Sequence, residues 1–170
     1  MLNDFGVDYA LLVNDLFEKV EVRNEAAQLL EGHCTHILSF TLDMFTPFEE
    51  RTLLAQGELI SSALFNMYLN EIGLQSKRID ALDFMRIDQM NEPDLWYMKS
   101  NLNRLLKEYS SKVYVTQGYI CRNHFGEIDN LKRGGSDYSA SIIGAKEVQI
   151  WTDIGGMHNN DHRILLRQDQ

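Results

Sequence analysis

The sequence predicts a layered α/β fold with a largely parallel sheet. Helix-like and strand-like segments alternate along the chain, the order that builds a sheet flanked by helices. With 170 residues there is enough chain for one domain with a sizeable core and little room for a second. Apolar residues make up 44% and charged residues 24%, ordinary values for a globular protein.

The first helical stretch runs from Val7 to about Leu42, with Leu12, Leu16 and Val20 recurring every fourth residue and Gly32 as the expected break. Thr46-Pro47-Phe48-Glu49 then carries a helix start. Threonine caps, proline suits the first turn, and a glutamate three residues after the cap can reach back to it. That helix is expected to reach about Ile72 and close on Gly73. The residues between Phe65 and Tyr68 are expected in the core. Residues 77–85 are expected to hold a short strand. Glu92-Pro93-Asp94 opens another helix, with Leu95, Met98, Leu102, Leu105 and Leu106 on one face. Lys112–Ile120 is β-branched and aromatic and is expected to be a strand. A polar loop over Arg122–Gly135, a short helix from Ser136 and a strand at Val148–Trp151 follow. There are no repeats and no low-complexity linkers.

Charge and cysteine content narrow the function classes. The formal net charge is −9, from 25 acidic and 16 basic residues, with no basic stripe of the kind a nucleic-acid binder carries. No run approaches the roughly 20 apolar residues of a membrane span, and Met1–Gly6 lacks the features of a secretory signal. The cytoplasm is the expected location. Cys34 and Cys121 are far apart and form no C-x-x-C pair, so both are expected reduced and structural.

Two clusters with chemical potential each follow a strand-like segment, where ligands bind in open α/β sheets. The first is Lys132-Arg133-Gly134-Gly135-Ser136-Asp137. Paired glycines before a helix let the backbone approach a ligand, and the first helical N–H groups attract an anion. Arg133 adds a planar fork for carboxylate or phosphate. Asp137 in the same turn suits the orientation of a lysine, a metal ion or a substrate ammonium. Local pattern alone favours a plainer role, with Ser136 or Asp137 capping the helix.

The second cluster is Trp151-Thr152-Asp153-Ile154-Gly155-Gly156, continuing to His158 and Asp161-His162-Arg163. Thr152 and Asp153 would leave their strand where a nucleotide ribose or phosphate sits. In isolation an Asx-stabilised surface turn serves as well. Glu58, beside Gly57 in the long helix, borders an apolar face and could hold a substrate ammonium. More often such a glutamate is a boundary residue. The pairs His33/His36 and His158/His162 have helical ligand spacing but no further ligands, so no metal site is expected. Neither G-x-x-x-x-G-K-[ST] nor G-x-S-x-G occurs.

Taken in order, these segments resemble the aspartate kinase branch of the amino-acid kinase family. Val115-Thr116-Gln117-Gly118-Tyr119-Ile120 is similar to its V-T-Q-G-F-I strand. Leu131–Ala140 resembles its L-G-R-G-G-S-D-Y-T-A block, and Val148–Arg163 its V-x-I-W-T-D-V-x-G-I-Y-T-T-D-P-R segment. Gln56-Gly57-Glu58-Leu59-Ile60-Ser61 is similar to its G-E-x-x-S helix motif. The resemblance implies a three-layer α/β/α sandwich with a mostly parallel sheet. It implies transfer of the γ-phosphoryl group of ATP, carried with Mg2+, to the side-chain carboxylate of L-aspartate, the step toward lysine, threonine and methionine.

By the same resemblance Glu58 would bind the α-ammonium of aspartate, and Arg133 a substrate carboxylate with Gly134, Gly135 and Ser136. Asp137 would organise the catalytic lysines. Thr152, Asp153, His158, Asp161 and Arg163 would lie at the nucleotide.

Departures accompany the matches. Nothing before Glu58 resembles the family's K-F-G-G-T-S segment, and the lysine beyond D-P-R and the regulatory ACT domains have no counterpart. His158 stands for a tyrosine and His162 for a proline. The helix after Asp137 is about one turn short. A partial catalytic domain with weak or no turnover is therefore expected, and self-association through an exposed sheet edge with it. The competing readings are a kinase of another amino acid and a non-catalytic assembly module.

Overall fold

A computed structural model describes residues 2–40 and 45–144, with side chains from residue 8 onward. Helix α1 spans Leu2–Leu16 and α2 spans Val20–Ser39. The break falls at residues 17–19 and not at Gly32, which lies inside α2 with open space around it. Because the chain turns there, Leu12 and Val20 do not share a face. Both are exposed, and Val13 and Phe17 are the buried pair. Phe17 is the pin of the turn: its carbonyl accepts from Arg23 Nε at 2.7 Å. Glu71 closes the same corner by accepting from the Glu18 and Lys19 N–H groups.

Helix α3, Pro47–Glu71, starts as its sequence predicts. The Phe48 N–H donates to Thr46 Oγ1 at 3.2 Å, and the Thr46 N–H donates to the Glu49 carboxylate at 2.9 Å. Gly73, at φ +86°, takes the left-handed turn after its end. This helix buries two opposite faces. Ala55 joins one apolar cluster with Ile79, Phe84, Met85, Met98 and Ile120, while Ile60 and Leu64 join another with Val13, Phe17, Ala26 and Leu30. At 100° per residue, Ala55 and Leu64 point in opposite directions, so α3 is a middle layer between the α1–α2 pair and the strands. Phe65 does not belong to either cluster. It is 53% exposed, whereas Met67 and Tyr68 pack against the second.

Strand β1 (Ser76–Arg78) pairs in parallel with β2 (Val113–Val115), with Lys77 opposite Tyr114. The strand expected over 77–85 is thus only three residues long, and a single 3-10 turn at Ala81–Asp83 follows it. Helix α4, Leu95–Glu108, is capped by Asp94, whose carboxylate accepts from the Tyr97 N–H at 3.0 Å. Met98 and Leu105 are buried, but Leu95 is exposed. The segment expected as one strand over 112–120 splits in two, because the chain leaves β2 and re-enters as β3 (Ile120–Arg122). The expected polar loop contains β4 (Ile128–Asn130), antiparallel to β3 through a turn at Asn123–Gly126. A parallel bridge joins Arg86 to Arg122. Helix α5, Gly135–Ile143, completes the described chain. The strand expected at Val148–Trp151 lies outside the described residues. The class is α/β, with a parallel pair as expected and a hairpin in addition.

Candidate functional site

The split between β2 and β3 builds the site. Gln117 leaves the sheet there and is buried. Its Oε1 accepts from the Ala81 N–H at 2.7 Å, and its Nε2 donates to Ser62 Oγ at 2.7 Å and Asp80 Oδ1 at 3.1 Å. One amide side chain therefore ties α3, the 3-10 turn and the strand break together. The two bonds to neutral groups, Ala81 N–H and Ser62 Oγ, are each worth about 1 kcal/mol net, the third goes to a carboxylate, and losing one partner leaves a costly buried orphan.

Gly118 follows directly, and here the long helix meets the short one. Its N–H lies close enough to the Glu58 carboxylate to favour the charged form. Its α-carbon faces Ser136 so closely that an added Cβ would stand 2.9 Å from Ser136 Cα. A residue of α3 and the first turn of α5 thus converge on one backbone position that only glycine fits. Gly135 is equally confined, since a Cβ there would meet Leu131 and Tyr119 at 3.0 Å. Tyr119 itself sits at φ +68°. Its N–H donates to Ser139 Oγ at 3.2 Å and its carbonyl accepts from the Leu131 N–H at 2.8 Å. These bonds lock α5 onto the strand break.

Glu58 is half-buried, and burial pushes its carboxyl above its ordinary range, with the Gly118 N–H pulling the other way. The turn before α5 takes left-handed backbone at Lys132 (φ +63°) and Gly134 (φ +76°). Neither Ser136 nor Asp137 makes a side-chain cap hydrogen bond, for Gly134 is the N-cap residue. Arg133, Ser136 and Asp137 are exposed, and neither Arg133 nor Asp137 is in an ion pair among the described residues. Open N–H groups at a helix start, an unengaged guanidinium and a desolvated carboxylate give a site with separate places for an anion and an ammonium.

The expected residues are therefore only partly assembled in view. Glu58, Gly135 and Ser136 are brought together, with Arg133, Gly134 and Asp137 in the adjoining turn. Thr152, Asp153, His158, Asp161 and Arg163 lie outside the described residues. His33 is engaged elsewhere, with Nδ1 2.7 Å from Gln56 Oε1, and His36 packs on Phe40. Both cysteines are free, and burial beside Asp129 pushes the Cys121 thiol up to about 12. Residue patterns missed Gln117 and Gly118 as site builders. The signal was available: a polar amide and a glycine interrupting a β-branched run mark a strand that stops.

A second group of charges borders this turn. Asp129 on β4 is buried, with Arg51 Nε 3.9 Å from one carboxylate oxygen and Lys132 Nζ 3.9 Å from the other. Among the described residues no group of three or more His, Cys, Asp or Glu side chains is placed to hold a metal ion. No helix among them is long and apolar enough to cross a membrane.

Residues 4–165 match the model of the amino acid kinase family. The chain is 30% identical over 168 residues to lysine-sensitive aspartokinase 3 of Escherichia coli K12, covering 94% of this chain and 37% of that protein. It is 37% identical over 117 residues to bifunctional aspartokinase/homoserine dehydrogenase 2 of the same organism, covering 65% of this chain and 14% of that protein. Among solved structures it superposes on E. coli aspartokinase III in complex with lysine and aspartate. The TM-score is 0.69 at 28% identity, over 85% of this chain and 35% of that one. A second form of that enzyme, with aspartate and ADP, gives 0.63 at 29% identity over 76% of this chain and 30% of that one. The chain thus spans well under half the length of these relatives.

Proposed function

The chain belongs to the amino acid kinase family, and from that premise we propose that it is the aspartate-handling part of an aspartate kinase. The reaction is transfer of the γ-phosphoryl group of MgATP to the side-chain carboxylate of L-aspartate. One carboxylate oxygen forms the new bond to phosphorus while the bond to the β–γ bridging oxygen breaks, and ADP leaves with that electron pair. The carboxylate is already ionised at neutral pH, so no general base is required. Catalysis then consists of positioning and of stabilising spread negative charge. Magnesium enters as part of the nucleotide substrate.

The observation that carries this reading is the convergence on Gly118 of Glu58 and the first turn of α5. Glu58 receives the α-ammonium, and the Arg133 fork with the Gly135–Ser136 backbone receives a carboxylate. Asp137 faces the cationic groups around the transferring phosphoryl. Thr152, Asp153, His158, Asp161 and Arg163 hold the nucleotide. Support comes from the E. coli relative whose structure holds aspartate and ADP. The cytoplasm is the proposed location.

Thermal melts test the proposal. A ligand that binds only the folded state adds about 2.7 kcal/mol of stability at a hundred times its Kd. L-aspartate is expected to raise the melting temperature and L-glutamate, one methylene longer, to raise it much less. Equal shifts would point to another amino acid as substrate. No shift with either would leave the fold without the activity.

A further inference from the structure

We infer that Ser139 is a positioning residue: it fixes the spacing between Glu58 and the first turn of α5, and with it the length of acidic substrate accepted. This role deepens the aspartate-kinase reading and depends on it. Ser139 lies on the second turn of α5 and is 2% exposed, so it touches no ligand itself. A serine inside a helix commonly bonds back to the carbonyl four residues earlier, and this one donates to the Gly135 carbonyl at 2.8 Å. It also makes a bond that a helix does not need. The same oxygen accepts from the Tyr119 N–H at 3.2 Å, across twenty residues of sequence. An N–H only donates and a carbonyl only accepts, so the single hydroxyl hydrogen is committed in one direction. One side chain thus links the residue after Gly118 to the first residue of α5.

Contact and tether act on the same spacing from opposite sides. A Cβ on Gly118 would stand 2.9 Å from Ser136 Cα, and one on Gly135 would stand 3.2 Å from Tyr119 Cα. The two backbones can come no closer. Two hydrogen bonds keep them from parting, from the Tyr119 N–H to Ser139 and from the Leu131 N–H to the Tyr119 carbonyl. Only the first of these reaches α5 itself, because Leu131 precedes the left-handed turn at Lys132 and Gly134. Glu58 is referred to the same point, since the Gly118 N–H lies beside its carboxylate. A substrate with its ammonium at Glu58 and a carboxylate at the α5 turn spans this spacing. A site that holds two charged ends at one separation discriminates by length, and a methylene more or less is worth about 10- to 200-fold.

Binding of L-aspartate and of L-glutamate to the 170-residue chain is measured by titration calorimetry for the unmodified protein, Ser139→Ala and Ser139→Thr. Thermal melts check that each variant is folded at the assay temperature. Alanine removes the hydroxyl, adds no bulk and frees α5 from Tyr119. Ser139→Ala is expected to bind L-aspartate roughly tenfold more weakly and L-glutamate almost as before, so the preference between the two acids falls by about the same factor. Ser139→Thr keeps a hydroxyl on the same carbon and is expected to keep the preference. An unchanged preference in Ser139→Ala, even with both affinities lowered together, overturns the inference and leaves the aspartate-kinase reading standing. Loss of the preference in both variants alike assigns it to packing and overturns the inference too. An unmodified chain that binds neither acid, or both equally, overturns the aspartate-kinase reading as well.

Discussion

Glu58 carries two demands that pull against each other. Half-buried on α3, its carboxyl is raised by desolvation, and only the Gly118 N–H favours its charged form. A carboxyl whose folded pKa is raised costs no stability below its ordinary value near 4.5. The cost appears as pH rises through the folded value, because the unfolded chain then ionises more readily. Glu58→Gln is therefore expected to match the unmodified chain in melting temperature near pH 4 and to exceed it at pH 7 to 8. Binding should move the other way: a neutral amide cannot pair with an ammonium, and a charge-assisted hydrogen bond is worth roughly 1.5–3 kcal/mol, or about 10- to 100-fold. In the unmodified chain the affinity for L-aspartate should fall as pH drops through the raised value. The variant's weak affinity should be flat over that range. A Glu58→Gln chain that melts lower at pH 7, or binds as tightly, would place Glu58 outside the site. The glutamate was legible in sequence as a boundary residue with a glycine neighbour. Its partner was not, since a backbone N–H leaves no mark in residue type.

At the scale of elements, legibility followed how local each cause is. The start of α3 was readable because Thr46, Pro47 and Glu49 act within one turn of each other. The Thr46 hydroxyl and N–H hold the Glu49 carboxyl below its ordinary range, so the capping contribution is present above about pH 4.5 and is lost as pH falls through the lowered value. Thr46→Ala is expected to destabilise the protein by about 0.5–2 kcal/mol at pH 7 and by less in acid, measured by urea unfolding. A loss independent of pH would mean that Glu49 takes no part. The break at residues 17–19 was not readable, because it depends on Phe17 burying itself and on Glu71, more than fifty residues on, reaching the Glu18 and Lys19 N–H groups. Strand β4 was hidden for a similar reason. Glu127-Ile128-Asp129-Asn130 is polar by composition, and it pairs because β3 supplies the partner and Arg51 of α3 lies near Asp129.

The molecule as a whole draws its site from three distant stretches, α3, the 116–119 strand break and the first turn of α5, which Gln117 and Gly118 hold together. Such assembly favours one ligand end over the other. In the proposed reading the amino-acid end has its ammonium partner at Glu58 and its anion-binding turn before α5, both among the described residues. The nucleotide end is expected at Thr152, Asp153, His158, Asp161 and Arg163, outside the described residues, and the sequence resemblance leaves the glycine loop and lysine it implies without a match before Glu58. Phosphoryl transfer needs both ends placed together, and removing one stabilising donor costs about 3–4 kcal/mol, or 100- to 1000-fold. Binding and turnover should therefore separate in this chain: L-aspartate should bind, while ADP release in a coupled assay with saturating MgATP stays below about 1 per second. A rate inside the ordinary enzymatic range of roughly 1–1000 per second would mean that the donors expected from the glycine loop are supplied by residues of this chain that its sequence does not single out.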